Sequence, residues 1–209
     1  MEPLFDHPVF IQSILHIKNQ LGETGLAPLE QQVLERIIHS SGDFSLESLL
    51  RFSSGACEKG LLALKAGAPI LTDTAMAAEA VLPMADRTLK TTVRTIRDWA
   101  PDQAPRGSTR LAVGMRKAWE DLTTRLKDQQ SPIVLIGSAP SALDVLLDLV
   151  EHGAPHPSLI IGMPVGFIGV QHSKSRLAKS GLPYIQLLKS RGGAGIAAAT
   201  VNALLRAAQ

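Results

Sequence analysis

Apolar positions recur every three to four residues through PVFIQSILHIKNQL (8–21) and EQQVLERIIHS (30–40), which predicts two amphipathic helices near the start of the chain. SLESLLRFSSGACEKGLLALKAG (45–67) keeps that spacing and predicts one or two more, closed by Gly67. From residue 69 the pattern changes to short β-type runs: PILTD (69–73), TTVRTI (91–96), PIVLIG (132–137), SLIIGM (158–163) and PYIQLL (183–188). Helical spacing returns between the later runs, over 109–127, 141–153 and 173–180, and GIAAATVNALLRAAQ (195–209) forms a last helix. Strands alternating with helices of this length call for a parallel sheet covered on both faces. The expected fold is α/β: a three-layer α/β/α, flavodoxin-like arrangement with a mostly parallel five-stranded sheet and additional N-terminal helices. It is expected to form one domain over 1–209.

Composition narrows the function classes. The 209 residues are 45% hydrophobic and 19% charged, as in a folded soluble domain. Gly, Pro or charge breaks every apolar run well before the roughly 20 residues of a membrane span. MEPLFDHP has acids and no basic segment, so no signal peptide is expected and a cytoplasmic location follows. Cys57 stands alone, which excludes an internal disulfide, and the six histidines show no HExxH motif and no accompanying carboxylate cluster, so no metal is expected. Aromatic residues at 4% argue against nucleic-acid stacking and no such partner is expected. After Glu151 no acid remains, while Lys174, Arg176, Lys179, Lys189, Arg191 and Arg206 follow. That distribution either attracts an anion or is a solvated basic face.

In an open parallel sheet, ligands sit beyond the carboxyl ends of the strands. There, Gly137, Ser138 and Ser141 form a strand–turn–helix junction whose free N–H groups suit an anion or merely cap a helix. Gly162, Gly166 and Gly169 punctuate an apolar loop that either admits a flat ligand or buries Phe167; Ser173 and Lys174 open the next helix. Arg191, Gly192 and Gly193 precede the last helix, while Thr72 and Asp73 end the first strand as ligand contacts or caps. Arg110 lies in the first turn of a helix, where a cation opposes the dipole and suggests an anionic partner. His39 ends the second helix either as a structural residue or as an imidazole aimed into a site. GSAPSA lacks two glycines of the dinucleotide fingerprint, which counts against a flavin or nicotinamide enzyme.

RIIHSSGD (36–43), GAPILTDTAM (67–76), GSTR (107–110), IGSAPSAL (136–143), IGMPVGFIGVQHSK (161–174), RGGAG (191–195) and Asn202-Ala203-Leu204 follow one another in the order of the precorrin-8X methylmutase family, which the chain resembles from about residue 5 to residue 205. The resemblance implies an isomerase of cobalamin biosynthesis that moves a methyl group from C-11 to C-12 of a corrinoid, gives hydrogenobyrinic or cobyrinic acid, needs no cofactor and acts as a homodimer. It assigns the general acid to His39 and makes Ser13 its neighbour. Arg110, Lys174 and Arg191 become partners of the substrate's carboxylates, with Thr72, Asp73, Ser138, Ser173, Gly192 and Gly193 as further substrate-binding residues. Ser138 replaces the family's usual amide, and His172 an acid before the Ser-Lys pair. The alternative is a protein of this fold that holds a corrinoid or another polycarboxylate without turning it over.

Overall fold

The computed structural model describes residues 5–125 and 130–209. Positions 126–127 of the helix expected over 109–127, and the first four residues of MEPLFDHP, lie outside the described residues. Two helices, α1 (Pro8–Leu21) and α2 (Pro28–Ser41), open the chain. Each starts on a proline, whose missing N–H costs nothing in the first turn. A 3-10 helix (Phe44–Leu49), β1 (Leu50–Phe52) and α3 (Ala56–Lys65) follow. Next come β2 (Ile70–Thr72), α4 (Ala75–Arg87), β3 (Val93–Thr95), a 3-10 turn (Ile96–Trp99) and α5 (Arg110–Arg125). The chain ends with β4 (Ile133–Ile136), α6 (Pro140–Glu151), β5 (Leu159–Gly162), α7 (Val170–Lys179), β6 (Tyr184–Leu187) and α8 (Ala194–Ala207).

The sheet order is β1-β6-β5-β4-β2-β3. All neighbours are parallel except β1, which runs antiparallel to β6 with Leu50 opposite Leu187. The expected five-stranded sheet is thus corrected to a mixed six-stranded one. β1 was hidden because three residues show no alternation and LLRF reads as helix. It covers the β6 edge, with Leu188 N–H donating to Leu49 O at 2.9 Å. The helix α4 was also not expected: Pro83 sits inside it and removes one backbone donor. Its buried face, Ala77, Val81, Met84 and Ala85, holds it in place by packing.

Two cores flank the sheet. Ile133, Leu135, Leu159 and Ile161 face α2, α3, α4 and α8, while Val134, Ile136 and Ile160 face α5, α6 and α7. Both faces are covered, which is why these strands read as unbroken apolar runs. The parallel order brings the carboxyl ends of β2, β4, β5 and β6 to one rim, and the antiparallel β1 returns the end of α2 to the same rim.

Candidate functional site

α2 terminates because Gly42 adopts φ 66°, a left-handed conformation that glycine enters without strain. His39 projects one turn earlier and is half-buried. Its direction is set from α1, not by the adjoining serines: Ser13 Oγ lies 2.8 Å from His39 Nδ1, and the Phe10 ring meets the imidazole edge-on at 4.9 Å. Ser41 instead donates to Ile37 O at 2.9 Å. With Nδ1 engaged, Nε2 has no hydrogen-bond partner among the described residues. Burial first, then Arg36 and Arg206, push the imidazole below its ordinary 6.5. The free chain therefore favours neutral imidazole; this contribution to stability is present above pH 6.5 and is lost as pH falls through the lowered value.

The rim holds a cavity of about 780 Å³ between the 97–108 segment, the starts of α5 and α6, and the loop before α7. Arg110, Ser138 and Ser141 line it, together with Arg97, Ser108 and Ile168. Arg110 Nε donates to Pro101 O at 2.7 Å, and Thr109 Oγ1 lies 2.8 Å from Ser141 Oγ. Arg97 was missed in the sequence, where it follows the β-type run 91–96 as one base with no motif around it. In the loop after β5, Phe167 is 92% and Ile168 89% exposed, so the alternative of Phe167 in the core is excluded. His39 does not line this cavity.

Asp73 lies beneath the cavity wall, fully buried. Its Oδ2 accepts from the N–H groups of Gly137, Ser138 and Ala139 at 3.0, 2.6 and 2.9 Å. The junction expected to offer amide donors to an outside anion is thus already served by a carboxylate of the chain. Burial pushes the Asp73 carboxyl up, and the three amides pull it back part of the way. Thr72 is equally buried and donates to Thr74 O at 2.9 Å. Of this group only the Ser138 side chain is exposed to the cavity.

The remaining expected residues build the rim. Ser173 is buried and donates to Asp144 Oδ2 at 2.7 Å. Lys174, 3% exposed, gives its ammonium to Lys189 O at 2.9 Å and Arg191 O at 2.7 Å. Burial pushes its pKa down to about 8. Arg191 pairs with Asp43, tying the last strand–helix loop to the end of α2. Gly193 N–H donates to Met163 O at 2.9 Å, and Val165 N–H to Gly137 O at 3.1 Å. These bonds link the rim from Asp43 to Asp73. A Cβ on Gly192 would fall 1.9 Å from Met163 O. Gly192→Ala is therefore expected to cost about 3 kcal/mol through overpacking against backbone, read as a lower midpoint in urea unfolding.

The acid-free C-terminal third is less basic in space than in sequence. Arg176 bridges Asp144, Asp148 and Glu151 of α6 at 3.3, 2.7 and 3.0 Å, and Arg206 pairs with Asp6. Arg97 and Arg110 instead face the cavity. Among the described residues no three His, Cys, Asp or Glu are grouped to hold a metal, and no helix is long and apolar enough to cross a membrane.

The family model for precorrin-8X methylmutase matches residues 8–207. The chain belongs to the precorrin-8X methylmutase family. These are isomerases of cobalamin biosynthesis that catalyse a methyl migration. Relatives of this methylmutase include the precorrin-8X methylmutase of Pseudomonas aeruginosa, 39% identical over 94% of the chain and 93% of the relative. The cobalt-precorrin-8 methylmutase of Synechocystis is 33% identical over 98% and 97%. The crystal structure of the precorrin-8x methyl mutase from Thermus thermophilus superposes with TM-score 0.84 at 34% identity, covering 97% of this chain and 98% of that one.

Proposed function

We propose that this methylmutase moves the methyl group from C-11 to C-12 of precorrin-8X or its cobalt form, with His39 as general acid. The observation that carries the role of His39 is its pairing with Ser13, which fixes the ring and leaves Nε2 without a partner among the described residues. Protonation of a ring nitrogen draws electron density from the conjugated system and so favours a sigmatropic methyl shift. An imidazole suits that transfer because its pKa lies near neutrality. The 780 Å³ cavity, with Arg97 and Arg110 on its wall and the exposed Phe167 and Ile168 beside it, suits a flat apolar ring edged by carboxylates. Asp73, Thr72, Ser173, Lys174, Arg191, Gly192 and Gly193 shape that wall and rim, and Ser138 faces the substrate.

The chain works as one catalytic domain without a cofactor, metal or nucleic acid, in the cytoplasm. The five parallel strands, numbered among themselves along the chain, lie in the order 2-1-3-4-5, which supports a flavodoxin-like description of that part of the sheet. Val9, Ile11 and Leu15 are exposed on α1, an apolar face that supports assembly as a homodimer. The second reading, a corrinoid held without turnover, is favoured by the position of His39 outside the cavity. Mixing the protein with precorrin-8X and following the visible spectrum separates the two. A new product chromophore is expected; a stable complex with an unchanged chromophore would support the second reading.

A further inference from the structure

A second cavity, about 330 Å³, opens between α1, α2 and α8, with Phe10, Arg36 and Arg206 in its wall. Guanidiniums and aromatic rings interleave here. Arg87 and Arg206 stand over the Phe5 ring at 4.6 and 5.1 Å, and Arg206 and Arg36 over the Phe10 ring at 4.5 and 5.3 Å. The edge of Phe10 then meets His39. Stacking on an aromatic face holds a guanidinium in place and leaves its N–H fork free for a planar acceptor.

The charges do not balance. Arg206 is paired with Asp6, and Lys18 lies 3.8 Å from Glu35. Arg36 has no hydrogen bond or ion pair among the described residues, and its Nε is buried without a partner. Burial and the neighbouring Arg206 push the guanidinium below its ordinary value, with Asp6 opposing them. A half-buried guanidinium whose buried Nε has no partner is costly unless something negative completes it.

We propose that this cavity is a carboxylate subsite, in which Arg36, backed by Arg206, receives one peripheral carboxylate of the corrinoid and thereby readies His39 to act as an acid. The inference rests on the methylmutase reading and adds a residue and a sequence of events to it. Among the described residues the charged groups that act on His39 are Arg36 from α2 and Arg206 from α8, the latter paired with Asp6 ahead of α1. Asp43, four residues on, is committed to Arg191 and Ser45, while Ser13 and Phe10 bring no charge. In the free chain the two guanidiniums disfavour a proton on the imidazole. A carboxylate between them cancels that repulsion, so His39 takes up a solvent proton when substrate is seated. The acid form is thereby coupled to occupancy of the site.

The test uses the full chain with hydrogenobyrinic acid as probe. Binding is read from visible absorbance, and the His39 titration from NMR of the imidazole, assigned with His39→Gln. In the wild type the imidazole is expected to titrate below 6.5 and to move upward when the probe binds. Arg36→Met should raise the free value towards 6.5, shrink the ligand-induced movement and weaken binding about tenfold, in keeping with loss of a charge-assisted pair. Arg36→Lys, which keeps the charge but loses the planar fork, should restore the low free value and recover only part of the affinity. Equal binding by Arg36→Met and wild type with unchanged His39 titration would overturn the subsite alone. A wild-type chain that does not bind the probe would overturn the methylmutase reading, and the subsite with it.

Discussion

His39→Ala is expected to fold and to bind corrinoid while losing about 10²- to 10⁴-fold in methyl transfer, the usual contribution of a positioned acid. The side chain is half-buried at a helix end, and its one hydrogen bond among the described residues is to Ser13. Its removal leaves a half-exposed hydroxyl that water can satisfy, so the thermal midpoint should hardly move. The loss should fall on kcat, with KM nearly unchanged, because the missing group acts on the proton and the binding groups remain. A variant that turns over at the wild-type rate would return His39 to a structural role.

The second large effect is on stability. Asp73→Ala deletes the one acceptor shared by three buried N–H groups of the loop ahead of α6. Each orphaned donor costs about 1–3 kcal/mol, partly offset because a buried carboxylate is no longer desolvated, so a net loss of about 4 kcal/mol is expected. For a domain of this size that lowers the melting temperature by about 10 °C. The carboxyl sits above its ordinary 3.8, so its stabilising contribution is fullest below that value and shrinks as pH rises through the raised one. The gap between wild type and variant should therefore narrow in calorimetry as pH rises from below 3.8 through the raised value. A gap that widens over that range would contradict this assignment.

The sequence carried the parallel sheet well, because strands buried on both faces must be apolar at every position, as in IVLI at 133–136. It did not carry β1, whose three residues pair only because β6 offers an edge, nor α4, whose packing overrides an internal proline. The motifs pointed to the carboxyl rim of the parallel strands, and Arg110, Ser138 and Arg191 lie there in the structure. What they could not carry is the use of each polar group. Asp73 and Lys174 read as ligand contacts because a carboxylate and an ammonium near glycine loops look free in one dimension. In three dimensions their hydrogen bonds are spent on the loops themselves, 64 residues away for Asp73 to Gly137 and 15 for Lys174 to Lys189. The Arg87–Phe5–Arg206–Phe10–Arg36 stack was invisible for the same reason: it draws on four segments of the chain.

The most direct measurement follows the migrating methyl group itself. Precorrin-8X carrying a 13C label in the C-11 methyl is incubated with wild-type protein and with His39→Ala, and the carbon spectrum is recorded over time. The label is expected to move to the C-12 methyl with the wild type and to remain in place, on the same timescale, with the variant. A label that stays on C-11 with the wild-type chain, or migrates equally fast with both, would contradict a methyl shift driven by His39.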